Sequence, residues 1–274
     1  MFVLLLGCVS DTSAASGHPL HVFHVATQDL PEHHAMSDGA EHASRTGVIS
    51  AFLFEHPDGR VLIDTAFGRV TANEGTHVYP GRVFSAGTSN FEMGTPVIDQ
   101  LPAMPDRIVA THLHADHAGG LADFPATPLL VDPREWEAAL NEPVFHGYVP
   151  GAYEDRTAVE ELVFDGEAVG PFQDTHDLFG DGSLVLISAP GHTAGSTLVL
   201  VNQHILLIGD TAWIDENWQE PMAKGRTIRN NVEFDWKLEL QQQWAIKQWA
   251  EASPERVVIS GHEPDNINLP AVLQ

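Results

Sequence analysis

The chain is short of three things, and each shortage closes off a class of protein. Basic side chains are scarce: 13 Lys and Arg face 38 Asp and Glu, a formal net charge of −25 over 274 residues. A field of that sign repels phosphate backbones, so no nucleic-acid partner is expected, and it favours solubility. Long hydrophobic runs are missing too. No apolar stretch reaches the roughly 20 residues that a spanning helix needs, so no integral membrane span is expected. Cysteine is nearly absent. Cys8 stands alone and cannot close an internal disulfide, which excludes a disulfide-built scaffold.

The surroundings of Cys8 leave two readings open. Met1-Phe-Val-Leu-Leu-Leu-Gly-Cys8 is a short apolar core ending in a small residue and cysteine, followed by a Ser/Ala-rich stretch from Ser10 to Gly17. It resembles a bacterial lipoprotein export signal, but no Lys or Arg precedes the apolar run as such signals require. Residues 1–17 are therefore either an export signal and linker, implying a periplasmic or lipid-anchored destination, or the frayed start of a cytoplasmic protein. Residues 18–274 contain no low-complexity linker and are expected to form a single domain.

Hydrophobic periodicity then divides the chain. Leu20–Val25 alternates like an edge strand, and a His/acid-rich loop is expected over 28–44. Residues 48–54 and 61–64 flank Pro57-Asp58-Gly59 as a hairpin. Residues 66–95 look irregular. Short buried strands are expected at 107–111 and 128–131, and a helix from Pro133 with Asp132 as its N-cap. Residues 141–180 read as a long loop with little helix. Strands follow at 184–188, 197–201 and 204–208. A helix over 231–250 is expected to bury a stripe of Trp236, Leu240, Trp244 and Ile246, and a last strand covers 256–260. Strands first, then strands alternating with helices, fit a sheet sandwich with helices outside better than a doubly wound sheet.

The chemistry is concentrated in Thr111-His112-Leu-His114-Ala-Asp116-His117-Ala-Gly119-Gly120. On an extended strand end His112 and His114 point the same way. A tight turn then aims Asp116 and His117 at a second point, and the glycines let the chain double back. Imidazole nitrogen and carboxylate oxygen are ligands for zinc-type ions. Three more candidates follow apolar strands and sit beside glycine: His192 in Ala189-Pro-Gly-His192, Asp210 in Gly209-Asp210-Thr211, and His262 in Ser260-Gly-His262. A lone histidine in such a place is usually structural. Four strand-end sites in order are harder to read that way.

With these residues the sequence resembles the metallo-β-lactamase-fold hydrolase superfamily, whose His-x-His-x-Asp-His signature is His112–His117 and whose later ligands match His192, Asp210 and His262. The resemblance covers most of residues 20–264. It implies an α+β fold, an αββα sandwich of two mixed β-sheets flanked by helices. It also implies two zinc ions, one on His112, His114 and His192, the other on Asp116, His117 and His262, with Asp210 bridging both. Iron, manganese or cobalt suit the same donors. Asp64 matches a supporting aspartate expected to orient a ligand. Two such ions hold a hydroxide that attacks a carbonyl or phosphoryl carbon or phosphorus, and Asp116 is the candidate to shuttle the proton.

Within that superfamily the layout is most similar to the branch of N-acyl-homoserine lactonases, broad esterases and organophosphate hydrolases. The best-known β-lactamase subclass places a cysteine where Asp210 stands. β-Lactamase-like, thioesterase or phosphotriesterase activity on the same site, or a non-hydrolytic metal-dependent oxidoreductase, stay as alternatives. Lactonases of this kind place a tyrosine three residues after the bridging aspartate. Here that residue is Trp213, which donates a hydrogen bond but is no acid, and Tyr79, Tyr148 and Tyr153 are the candidate substitutes. Trp213 and Trp218 are candidate apolar walls for an acyl or aryl group. Lys224, Arg226 and Arg229, and likewise His33, His34 and His42, read as solvated loop faces before they read as substrate contacts. The expected partner is a small-molecule substrate, and the oligomeric state is open, a homodimer included.

Overall fold

The computed structural model describes residues 17–75, 91–142 and 146–274. The export-signal reading around Cys8 and the candidate Tyr79 lie outside those residues. In sheet one, β1 (Leu20–Pro31), β2 (Ser44–His56) and β3 (Gly59–Ile63) form a meander, with β4 (Phe91–Met93) pairing β1. The sheet continues through β5 (Arg107–Val109), β6 (Leu129–Val131) and β7 (Val159–Glu161), all parallel to β3. Sheet two holds β8 (Thr175–Asp177), β9 (Leu184–Ser188), β10 (Thr197–Val201), β11 (Ile205–Leu207) and β12 (Val257–Ile259). Its order is β12-β11-β10-β9-β8, with only the β11–β12 pair parallel. The terminal β13 (Val272–Leu273) returns to β1.

Alternation along the strands separates three apolar layers. Leu184 and Leu186 of β9 join Phe52, Phe54, Val61, Ile63, Val199 and Leu207 between the sheets. Val185 and Ile187, one residue out of phase, face outward onto Ile246 and Trp249. On sheet one, Leu53, Leu62, Ile108 and Leu129 face outward under Leu121, Phe124 and Ala139. Two mixed sheets therefore pack face to face with helices on both outer surfaces. Those helices are α1 (Glu32–Ala35), α2 (Arg69–Glu74), α3 (Val97–Gln100), α4 (Ala115–Ala118), α5 (Pro133–Asn141), α6 (Asp215–Gln219), α7 (Arg226–Asn231) and α8 (Trp236–Glu251). Asp132 caps α5 as expected, accepting from Arg134 N. Among the described residues no helix is long and apolar enough to cross a membrane.

Three expectations need correction. The loop over 28–44 is shorter: β1 runs to Pro31, because its register against β2 continues past a bulge between His24 and Ala26. The helix expected over 231–250 starts at Trp236, where the Asp235 carboxylate accepts from Lys237 N and Leu238 N. Its buried face is also different. Glu239, Gln243, Ile246 and Trp249 point inward, while Trp244 is 56% exposed. Two polar residues on the inner face shifted the stripe away from where hydrophobicity alone placed it.

Candidate metal centre

The four expected sites meet at one edge of the sandwich. His112 follows β5 and His114 caps the first turn of α4, which carries Asp116 and His117. From the other sheet, His192 follows β9, Asp210 follows β11 and His262 follows β12. Glycine makes two of these approaches feasible. A Cβ on Gly120 would lie 2.5 Å from Thr65 O, and one on Gly261 would lie 2.3 Å from Asp210 Oδ1.

The seven side chains sort into two sets, His112/His114/His192 and Asp116/His117/Asp210/His262. In the first, the three ring centroids are 4.7 Å apart pairwise, and His192 Nε2 lies 3.0 Å from His114 Nδ1. In the second, Asp210 Oδ1 is 3.1 Å from His117 Nε2 and 3.2 Å from His262 Nε2, and Asp116 Oδ2 is 3.2 Å from His262 Nε2. Asp210 also reaches the first set, Oδ2 lying 3.5 Å from His192 Nε2 and 3.9 Å from His112 Nε2. One carboxylate thus faces both histidine sets.

The far side of most rings is held. His117 Nδ1 pairs with Asp64 Oδ2 at 2.8 Å, His192 Nδ1 with Glu233 Oε1 at 3.1 Å, and His262 Nδ1 with Val48 O at 3.3 Å. Asp64 sits just past β3 in the left-handed region, φ 56°, where its carboxylate also accepts from Thr111 N and Thr111 Oγ1, each at 2.7 Å. Backbone strain at that point is compensated by three hydrogen bonds.

Electrostatics separates the two sets. Burial, then the neighbouring imidazoles, holds His112 and His114 well below the usual histidine range; burial and Lys224 lower His192 to about 3. These three are neutral at physiological pH with lone pairs available. Burial works against a proton on His117 and His262 as well, but acidic neighbours outweigh it. Asp210 and Asp64 hold His117 well above the ordinary value, and Asp210 and Asp116 raise His262 to about 9. Asp210 is held well below the carboxylate range: burial opposes ionisation, and the charges of His262 and His117 overcome it.

The fit to a cation follows from the buried donor atoms. His112 Nε2 is buried without a hydrogen-bond partner, and Asp210 Oδ1 has only His117 Nε2 at 3.1 Å and His262 Nε2 at 3.2 Å. A buried nitrogen left without a partner costs about 1–3 kcal/mol, and the buried imidazoles and carboxylates of the two sets, gathered with their donor atoms within 4.8 Å of one another in each, are accounted for by bound cations. The donors are those of a zinc-type ion.

The softer candidates fare differently. Trp213 lies beside Asp210 with its indole Nε1 donating to Oδ2 at 2.8 Å. Trp218 is not at the cluster; it packs on the outer face of sheet two and donates to Asp215 Oδ1. The Tyr148 ring stands edge-on to His114 at 4.9 Å with its hydroxyl bonded to Glu135, and Tyr153 bridges Val149 N and Leu113 O, so both are engaged in packing. His33 and His34 lie on α1, Gly225 N donating to His34 O, and His42 is exposed. Arg226 is exposed, but Lys224, read as a solvated face, is completely buried. Two further acids were invisible in the sequence. Glu135 accepts from Leu113 N and Gly195 N and so ties together the loops of His112/His114 and His192; Glu233 holds His192.

A sandwich of two mixed sheets with a histidine–aspartate cluster at one edge defines a metallo-hydrolase architecture. The sequence profile of the metallo-beta-lactamase superfamily matches residues 44–262, and the chain belongs to that superfamily. It is 26% identical over 226 residues to the N-acyl homoserine lactonase AttM of Rhizobium radiobacter, covering 78% of this chain and 81% of that protein. It is 28% identical over 240 residues to a probable metallo-hydrolase of Mycobacterium tuberculosis, covering 79% and 75%. Among solved structures, AiiA of B. thuringiensis with N-decanoyl-L-homoserine bound at the active site superposes with a TM-score of 0.72 at 19% identity, over 92% of this chain and 96% of the other. The dizinc quorum-quenching lactonase AidC superposes with a TM-score of 0.61 at 14% identity, over 93% and 90%.

Proposed function

We propose that the seven residues hold two zinc ions and that the chain hydrolyses lactones or other carboxylic esters of small molecules. The observation that carries the binuclear reading is Asp210, whose Oδ1 faces His117 and His262 while Oδ2 faces His192 and His112. Bound there, such ions supply Lewis acidity toward a carbonyl oxygen and bring water into its acidic range near neutrality. The protein's own part is to present neutral histidines on one side, to hold Asp210 ionised between the sets, and to keep His117 turned by Asp64. Asp116 is the one of the seven whose side chain reaches solvent, at 20% exposure. It is placed to carry a proton between the site and bulk water.

Relatives named as acyl-homoserine lactonases support lactones as the first substrate class. A specific feature favours a wider ester or phosphotriester scope. The donor of Trp213 is engaged by Asp210, so position 213 presents no acid to a substrate carbonyl. Substrates whose carbonyl is already activated by a good leaving group, such as aryl esters, lose least from that. We read residues 18–274 as one domain because both sheets contribute to the same site.

The test is a turnover panel on metal-analysed protein: an acyl-homoserine lactone, an aryl ester, nitrocefin, a thioester and paraoxon. Lactone or ester turnover with near-stoichiometric zinc supports the proposal. Bound iron with no turnover on any of the five would overturn it.

A further inference from the structure

Lys224, Glu233 and Glu239 form a buried charged unit behind the cluster, each side chain at 0% exposure. An ammonium has three hydrogens, and Lys224 has three acceptors for them. They are the main-chain O of Asp210 at 2.7 Å, Glu233 Oε1 at 3.0 Å and Glu239 Oε1. Glu233 Oε1 is also the atom 3.1 Å from His192 Nδ1. One lysine therefore touches Asp210 directly and His192 through a single carboxylate.

The unit is also charge-balanced. Two carboxylates around one ammonium would leave an uncompensated charge in the core, which is costly. Burial, then the charge of Glu233, holds the Glu239 carboxyl well above its usual range, and the two carboxyls are hydrogen-bonded to each other. Glu239 Oε2 and Glu233 Oε2 are otherwise buried without partners, so a proton between them serves both. Glu233 Oε1 is left between the Lys224 ammonium at 3.0 Å and His192 Nδ1 at 3.1 Å, the geometry of an ion pair shared with the imidazole.

An anion against Nδ1 makes that nitrogen the donor and leaves Nε2 bare. The bare Nε2 is the atom that faces His114 and Asp210. The main chain adds to this: Phe234 N donates to His192 O and Asp235 N to Gly191 O, both at 2.9 Å, so the His192 loop is docked on the segment that carries Glu233.

On the binuclear reading above, we propose that Glu233, backed by Lys224 and Glu239, is a positioning residue dedicated to the three-histidine subsite. It locks His192 in the tautomer and orientation that ligate, and it leaves the Asp116/His117/His262 subsite untouched.

Selectivity between the subsites is what distinguishes this from a general structural role. Glu233→Gln keeps the charge balance, because Glu239 can then ionise opposite Lys224. Zinc binding is measured by chelator competition on the full chain in three backgrounds: wild type, His114→Ala and Asp116→Ala. In Asp116→Ala, where the three-histidine subsite remains, Glu233→Gln should weaken zinc about 10–100-fold, the usual effect of losing an outer partner of a ligating histidine. In His114→Ala, where the other subsite remains and Glu233 touches none of its ligand side chains, the change should be at least several-fold smaller. Glu233→Asp keeps the charge but withdraws the oxygen, and should reproduce the selective loss if the glutamine variant does not fold. Equal weakening in both backgrounds, or in neither, overturns the inference while the binuclear reading stands. A wild type that binds no zinc overturns both.

Discussion

Trp213, a buried residue, gives its only side-chain hydrogen-bond donor to Asp210 Oδ2, at 2.8 Å. Its partner is the carboxylate that serves both sets, so the indole acts on the proposed metal bridge and not on a substrate. Trp213→Phe keeps most of the packing against Leu30, Met36 and Ile228 and removes only that N–H. We expect it to weaken metal binding by about 10–100-fold, with KM for an ester little changed once zinc is saturating. A raised KM with unaltered zinc affinity, read by chelator competition, would return Trp213 to the substrate wall.

The same residues dictate a pH dependence. His262 is held at about 9 and His117 well above its ordinary value, whereas His112, His114 and His192 are lowered. A cation entering the Asp116/His117/His262 set must displace protons at pH 7; one entering the three-histidine set displaces none. Zinc affinity of the former should therefore rise with pH up to about 9, and that of the latter should be flat. Calorimetry in buffers of different ionisation enthalpy counts the protons, and release at neither subsite would refute this. The sign for folding is opposite. A raised His262 stabilises the metal-free protein fully below 6.5, and that contribution, about 3 kcal/mol, is lost as pH rises through about 9.

At the scale of elements, α5 acts as a clamp. Glu135 presents Oε1 to Leu113 N at 2.8 Å and Oε2 to Gly195 N at 3.1 Å, joining loops that leave β5 and β9 in different sheets. Glu135→Gln keeps the shape but turns one acceptor into a donor facing an N–H. The expected cost is about 1–3 kcal/mol, a fall in Tm of about 2–4 °C for each kcal/mol in a chain of this size. An unchanged melting temperature would mean that the clamp carries no strain-bearing load. This clamp also shows what was legible in the sequence and what was not. The ligands announce themselves, because each is a histidine or aspartate beside glycine just past an apolar strand, and strand alternation is a local signal. Glu135, Glu233 and Lys224 carry no such local signal. Their burial depends on partners 22 to 60 residues away for Glu135 and 41 away for Glu233 and His192, so they read as ordinary solvated charges. Trp244 misled in the other direction: an aromatic at helical spacing looked like core, but Glu239 and Gln243 occupy the inner face because Lys224 and Thr211 O wait there to pair with them.

For the whole molecule, the placement of the ligands couples metal to fold. His112, His114, Asp116 and His117 issue from sheet one; His192, Asp210 and His262 issue from sheet two. Cations held between them, as proposed, would close the open edge of the sandwich and bind the folded chain in preference to its unfolded form. Each ion then stabilises by RT ln(1 + [M]/Kd), about 4 kcal/mol when free metal is about 1,000 times Kd. In a chain with a net charge of −25, bound cations would also offset part of the self-repulsion. Removing both with a chelator should therefore lower Tm by roughly 15–30 °C. Salt should recover only the part due to long-range repulsion, since a Debye length near 8 Å at about 0.15 M screens surface charge but not buried ligands. The discriminating comparison is Asp210→Ala. It should melt near the chelated wild type and show no further drop with chelator. A wild-type Tm indifferent to chelation would mean that the two sheets are held by their apolar interface alone and that the ions, if bound, add chemistry without adding stability.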